Sequence, residues 1–336
     1  MRHLTISEFG NFLGISGAKL VVKDKEGKIW QTPLSRLRTI RVEKKGVSLS
    51  SDLIYECAIR GIRLFFTDWS GRSVATVQGD NQKAVVAVRQ AQFKCIESPK
   101  AQEIALEIIK TKIKNQRAVL LYFGKYLKKT NEDAYLKLSD CADFMSTQAN
   151  KLNVETFNSI IPSQTSWKQT LLGLEGSAAQ NYWKTISACN LLADTFLSRE
   201  GRGSKEISNA ALNYGYAILM SYVWSALDNT GLEIYSGLFH SNVPGRASLV
   251  MDVMEEYRSW IVDRNIIKLR SQLAGKRFLD ANLKSLIANS IDETLYSKVC
   301  VKGKNIKVEN LMQRQAYRLA GSIVDDTRYK GFKFKW

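Results

Sequence analysis

Histidine, proline and cysteine are all scarce in this 336-residue chain, and each scarcity excludes something. Two histidines, His3 and His240, leave little room for a Ser-His-Asp hydrolase. The five cysteines (Cys57, Cys95, Cys141, Cys189, Cys300) are scattered, odd in number and never spaced C-x-x-C. That spacing argues against a disulfide framework and a structural zinc site, and for reduced thiols in a cytosol. The opening MRHLTISEFG has no apolar stretch of secretory type, and no apolar run approaches the ~18 residues of a membrane span. The expectation is a cytoplasmic protein with no membrane contact. There is no P-loop and no H-E-x-x-H, and GRGSKE from Gly201 holds only a G-x-G, too little for a nucleotide site.

Acidic residues are also in short supply. Thirty-two Asp and Glu face 49 Lys and Arg, a net charge of +17. An excess of that size gathers polyanions, which makes nucleic acid the expected partner. No basic helix with a lipid-facing aromatic side points to a membrane surface instead.

Two regimes follow one another along the chain. Residues 1–85 read as short strands: Leu20–Val22 and Ile29–Trp30 flank the turn Asp24–Gly27, and Ile62–Phe66 and Ser73–Val77 flank Asp68–Gly71. Ser50 or Ser51 can cap a short helix that Gly61 ends. From about residue 86 the apolar period becomes helical, as at Ile104, Ile108, Val119 and Leu120, and only Pro99, Pro162 and Pro244 punctuate it. The predicted fold is α+β with two domains: a small N-terminal β-sandwich-like domain (1–85), then a large all-α catalytic domain (86–336) with a basic tail, RYKGFKFKW.

Three segments carry residues suited to chemistry. His240 follows the apolar Gly237–Phe239 and precedes the turn at Pro244 and Gly245. SLVMDVMEEYRSWIVD reads as a helix with Leu249, Val253, Tyr257, Trp260 and Ile261 on one side and Asp252, Glu255, Glu256 and Ser259 on the other. Its three acids form either a solvated polar face or a divalent-cation site. Glu175, alone among small and apolar residues in LLGLEGSAAQNYW, is either a surface acid favoured by a helix start or a core carboxylate that must be paired or metal-bound.

These segments, in order with NAALNYGYA and GLFHS, resemble the CRISPR-associated Cas1 family, the integrase of spacer acquisition; PLSRLRTIRV and SLSSDLIYECAIRGIRLFFTDWSGR resemble its β domain. The resemblance implies that Glu175, His240 and Glu255 ligate a divalent metal, with Asp252 a further acid at the site. It gives no reason to prefer Glu256. It also implies a homodimer joined through the β domain, double-stranded DNA as substrate, and a complex with a small companion adaptation protein. Carboxylates with one imidazole suit Mg²⁺ or Mn²⁺. The implied reaction is attack of a 3′-hydroxyl of captured DNA on the backbone at the edge of a repeat. With water as nucleophile, the same site is an endonuclease.

Lys110, Lys114 and Arg117 recur along one helix, with Lys112 close by, and Arg36, Arg38 and Arg41 cluster in the β domain; both groups are candidate phosphate contacts. Asn209 and Asn213, four apart, either line the site with Tyr214 or Tyr216 or form hydrogen bonds in the core. Two rival readings remain. A transposon-type integrase is expected to carry a further DNA-binding domain beyond the catalytic core. A non-catalytic DNA-organising scaffold explains the charge but not the acid set.

Overall fold

The computed structural model describes residues 3–68, 73–77, 79, 85–201 and 203–335, and the chain divides into two compact units, residues 1–83 and 84–336. The turn expected at 69–71 lies outside the described residues.

The first unit holds β1 (His3–Ile6), β2 (Phe12–Ser16), β3 (Lys19–Lys23), β4 (Ile29–Pro33), β5 (Thr39–Val42), β6 (Ser48–Leu49), α1 (Ser51–Ile59), β7 (Arg63–Thr67) and β8 (Ser73–Val77). One sheet runs β1-β5-β7-β8 and the other β4-β3-β2-β6, four strands each. The expected β3–β4 hairpin forms, with Val22 opposite Trp30; the Asp24 side chain accepts from the Glu26 and Lys28 amides across its turn. Ser50 caps α1 by accepting from the Leu53 amide. β3 alternates, burying Leu20 and Val22 while Lys19 and Lys23 face out. Leu4, Leu13, Leu20, Ile40, Leu53 and Leu64, drawn from both sheets and α1, share one core.

The second unit is mainly helical. Its elements are α2 (Val85–Ile96), α3 (Pro99–Leu127), α4 (Glu132–Lys151), α5 (Val154–Ser159), α6 (Trp167–Ala188), α7 (Ile207–Asp228), α8 (Ser248–Tyr257), α9 (Arg264–Lys268), α10 (Arg270–Leu273), α11 (Ala281–Tyr296), β9 (Lys298–Val301), β10 (Lys304–Lys307) and α12 (Val308–Val324). The β9–β10 hairpin corrects the all-α expectation. Lys302 and Gly303 both take positive φ, +49° and +76°, the backbone of a two-residue hairpin turn, and Val299, Val301 and Ile306 supply strand-forming side chains on either side. Among the described residues no helix is long and apolar enough to cross a membrane. All five cysteines are free, and all but Cys300 are buried.

Two features position the site. α3, capped by Ser98 with Pro99 in its first turn, packs against α4, α6 and α8, so it buries residues on most of its circumference. α8 runs into a π-helical turn, Arg258–Asp263, before α9 resumes the α-helical period. The segment after α12 then lies back along α3. Tyr329 and Phe334 are buried, and Phe334 stacks on Trp260 with ring centroids 5.3 Å apart. Asn115 of α3 ties this strap down: its amide donates to Phe332 O and its oxygen accepts from Phe334 N, both at 3.0 Å. The basic tail is thus, through Phe334, part of the helical unit's interior.

Candidate active site

The acids of α8 are not a solvated face. Asp252, Glu255 and Glu256 are 0%, 5% and 0% exposed, because α8 packs against both α3 and α7. Each acid finds its own buried partner. Successive residues of a helix point about 100° apart, and that rotation sends Glu255 and Glu256 to different places.

Glu255 faces α3 and α6. Its Oε2 lies 2.6 Å from the Lys112 ammonium and its Oε1 3.0 Å from the Arg258 guanidinium. Burial works against its charge, but Arg258 and Lys112 outweigh burial and hold the carboxyl below its usual value. The same ammonium pairs with Oε1 of Glu175, which α6 presents one turn before Ala179 and two before Trp183. Lys112 is 8% exposed; burial opposes its charge, and the two carboxylates more than compensate, raising its pKa. One lysine therefore draws Glu175 and Glu255 from separate helices to a single point.

Asp252 does something else. Its Oδ2 accepts from the amides of Leu238 (2.5 Å) and Phe239 (3.3 Å), and its Oδ1 from the amide of His240 (3.2 Å). Oδ1 also lies 2.5 Å from His240 Nδ1. One buried carboxylate thus folds the loop before α8 and orients the imidazole through Nδ1, leaving Nε2 without a hydrogen-bond partner among the described residues. Gly237 permits this wrapping: a Cβ there would come within 2.8 Å of Ser248 Cβ and 3.1 Å of the Asp252 carboxylate. Glu256 points to the strap, where the Tyr329 hydroxyl donates to it at 2.8 Å, and burial pushes its pKa up to about 8. Its carboxylate thus meets the strap, not Lys112.

Among the described residues no three His, Cys, Asp or Glu side chains close around one point. Glu175 and Glu255 are brought together through Lys112, while His240 is turned to Asp252. The donor chemistry nevertheless fits a hard divalent cation: two carboxylates converge on one positive charge, beside an imidazole fixed through its other nitrogen by a third.

A cavity of about 160 Å³ adjoins Glu175, lined by Lys112, Gln116, Arg199, Tyr216, Arg258 and Asp263 among others. Arg199 is set by the two asparagines: Asn209 Oδ1 accepts from it at 3.0 Å and Asn213 Oδ1 at 2.6 Å. Asn209 and Asn213 thus orient Arg199 and the 198–201 loop, without themselves lining the cavity. Of the two tyrosines, Tyr216 lines the cavity; Tyr214 lies under Lys284 instead. Arg199 and Arg258 both lie over the Tyr216 ring, at 5.3 and 4.9 Å. The Tyr216 hydroxyl donates to Asp263 at 2.5 Å, and burial lifts the Asp263 pKa to about 6 despite that bond.

Asp263 therefore gives a pH-dependent term with a definite sign. Its folded pKa lies above its ordinary value of 3.8, so its contribution to stability is full below pH ~4 and is lost as pH rises through about 6. Asp263→Asn should gain on the parent across that window, by up to roughly 1.4 kcal/mol per pH unit, and level off above it. Melting temperatures of both proteins from pH 4 to 8 check this; a constant difference would show that Asp263 ionises normally.

The basic clusters are only partly open. Lys110, Lys114 and Arg117 are half-buried, and Arg117 Nε donates to Ala142 O on α4 at 3.1 Å. Lys114 lies against Lys333 of the strap; burial and that second charge lower its pKa. Arg36 and Arg38 are exposed, but Arg41 is buried and paired with Glu43 at 3.7 Å, which corrects its assignment as an open phosphate contact. Sequence reading missed Lys112, Arg199 and Arg258 as site residues. For Lys112 the signal was present: it sits two positions from both Lys110 and Lys114, on another face of α3, four residues after Ile108.

Comparison with known proteins decides the family. The model of CRISPR associated protein Cas1 matches residues 4–299. The chain belongs to the Cas1 family. It is 43% identical over 337 residues to the CRISPR-associated endonuclease Cas1 1 of Francisella tularensis subsp. novicida, covering all of both chains. It is 29% identical to a namesake from Archaeoglobus fulgidus, over 99% of each. The fold is shared with a casposase bound to integration product (TM-score 0.82, 22% identity, 100% of this chain and 95% of that one). It is shared also with a Cas1 protein from Thermotoga maritima (TM-score 0.75, 19% identity, 98% and 100%).

Proposed function

We propose that this chain is a metal-dependent DNA integrase that inserts short captured DNA into a CRISPR repeat array by 3′-hydroxyl transesterification. The observation that carries this reading is the convergence of Glu175 and Glu255 on one positive charge beside an imidazole held by Asp252, in a chain of the Cas1 family. Mg²⁺ or Mn²⁺ held by Glu175, Glu255 and His240 Nε2 would offset charge on the phosphodiester and orient the nucleophile.

The protein's own groups do the rest. Asp252 fixes the imidazole and the 238–240 backbone. Arg199 and Arg258 line the cavity beside Glu175 with positive charge suited to a backbone phosphate. In the reaction an O–P bond forms from the donor 3′-oxygen as the target's own 3′-oxygen–phosphorus bond breaks. The donor loses its proton to solvent, and the departing 3′-oxygen takes one up. One diester replaces another, so no nucleotide triphosphate is consumed. Holding the 3′-hydroxyl in line supplies much of the barrier reduction.

Double-stranded DNA is the proposed substrate, met by an excess of cations that includes the exposed Arg36 and Arg38. The casposase relative of this fold is described as bound to integration product, and another solved relative as a Cas6-RT-Cas1–Cas2 complex. By analogy we assign this chain a small Cas2-type companion, a homodimer through the β unit, and a place in the cytoplasm. The casposase fold matches over 95% of its chain, so fold does not separate the transposon-type reading. Identity of 43% to a curated Cas1 endonuclease favours the CRISPR one.

The test is covalent joining. A short duplex with free 3′-hydroxyls should become linked to a supercoiled plasmid carrying a repeat array, in Mg²⁺ or Mn²⁺ and without ATP. Donors ending in 3′-dideoxynucleotides should give no joined product. Nicking alone under every condition, companion protein included, would make the chain an endonuclease; no metal-dependent turnover at all would leave the DNA-organising scaffold.

A further inference from the structure

We infer that Lys112 is an exchangeable stand-in for the divalent cation: its ammonium holds Glu175 and Glu255 together, and metal binding displaces it. The inference rests on the metal site proposed above. Lys112 projects from α3 to carboxylates of α6 and α8, so one side chain cross-links three helices at the point where the two acids meet. An ammonium is the side-chain group most like a small hydrated cation: a compact point charge that donates in three directions. It meets the same need, because two carboxylates brought together in a buried site repel each other unless a positive charge lies between them.

Charge counting shows why the two cations compete. Glu175 and Glu255 are balanced by Lys112 and Arg258. A divalent ion on the same carboxylates, with Lys112 still in place, leaves two excess positive charges at one buried point. The ammonium must then leave. It has a flexible four-carbon stem, and it lines the cavity shared by Gln116, Arg199 and Arg258, so it can swing there without leaving the site. That cavity holds Arg199 and Arg258 against the one carboxylate of Asp263 once Glu175 is engaged by the metal, so the charge Lys112 brings is met by a phosphate oxygen of the substrate. Lys112 thus makes the free protein a weak metal binder and lets the DNA backbone receive the displaced charge. Metal and DNA are thereby coupled through one side chain.

The experiment is a Mn²⁺ titration of the full chain without DNA, followed by the electron-spin resonance of free Mn²⁺. Parent protein, Lys112→Met, Lys112→Arg and Glu175→Gln are compared, with folding checked by circular dichroism. Lys112→Met should bind Mn²⁺ at least about tenfold more tightly, the scale on which one neighbouring charge alters proton affinity at such sites. Lys112→Arg should not bind more tightly, and Glu175→Gln should lose the site. Should Lys112→Met fail to fold, Lys112→Gln keeps hydrogen-bond donors without the charge and is read the same way. Unchanged or weaker Mn²⁺ binding in the neutral variants, with binding still dependent on Glu175, would make Lys112 a permanent ion pair and overturn this inference while sparing the metal site. Mn²⁺ binding that survives Glu175→Gln unchanged would overturn both.

Discussion

Glu255→Gln should slow strand joining by about 10² or more, while Glu256→Gln, one residue on, should join DNA at close to the parent rate. The two residues are both buried and adjacent, so the contrast isolates direction. Glu255 meets Lys112, Arg258 and, through Lys112, Glu175; Glu256 meets Tyr329 and has no link to that cluster. Glutamine is the informative replacement, since alanine at Glu255 would leave buried Lys112 and half-buried Arg258 facing a void and confuse chemistry with folding. Glu175→Gln belongs with Glu255→Gln. Rates are measured with the duplex donor in Mg²⁺ and in Mn²⁺, after circular dichroism has shown equal helicity. An inactive Glu256→Gln beside an active Glu255→Gln would mean that the site helix has been read one residue out of phase.

The second large effect concerns the strap behind that helix. A chain stopped at residue 326 should lose on the order of 5 kcal/mol, enough to unfold many domains of this size. Two buried aromatics, Tyr329 and Phe334, would go. So would the Phe332 carbonyl and Phe334 amide that satisfy Asn115, the Lys330 carbonyl that accepts from Gln315, and the only hydroxyl bonded to Glu256 among the described residues. A gentler version is Gly331→Ala, whose added methyl would stand 2.2 Å from Thr111 Oγ1 on α3. That variant should lift the strap and lower the denaturation midpoint without removing any side chain. Chemical denaturation of both variants reports the loss; a midpoint unchanged by the truncation would show the strap to be a passenger on the helical unit.

Much of this was legible before the structure, for reasons that residues make plain. The β3–β4 hairpin announced itself through Asp24 and Gly27, and α1 through its Ser50 cap, because turn and cap chemistry is local. The acids of α8 were legible as a cluster but not as buried. Helical period separates apolar from charged residues; it cannot show that a charged side has partners waiting. Those partners lie outside the helix: Lys112 of α3 for Glu255, the 238–240 amides of the preceding loop for Asp252, Tyr329 of the strap for Glu256. The same blindness hid Lys112 among its basic neighbours. It also left Asn209 and Asn213 undecided, since their ligand Arg199 sits in an irregular loop. The β9–β10 hairpin was overlooked because its strands are four residues each, too short for alternation to stand out in a helical background.

The π-helical turn at Arg258–Asp263 has a consequence for how this chain tolerates change in length. A π turn takes in one residue more than the α-helical path it replaces, and so everything after it keeps the phase of a helix one residue shorter. Glu255 and Arg258 lie before or at its start, Asp263 at its end, and Tyr216, with Arg258 over its ring, bonds to Asp263. Deleting a single residue inside this turn would let the segment relax into an ordinary α-helix with better backbone hydrogen bonds. Because the residue removed is the extra one, Asp263 and the whole of α9 would keep their direction relative to Glu255, whereas straightening the turn with all its residues kept would rotate them by about 100°. A one-residue deletion in the turn should therefore be tolerated, while straightening the full-length turn would withdraw the Asp263 wall of the cavity. The reading frame of this helix, more than the identity of any residue in the turn, keeps the cavity and the carboxylates on the same side.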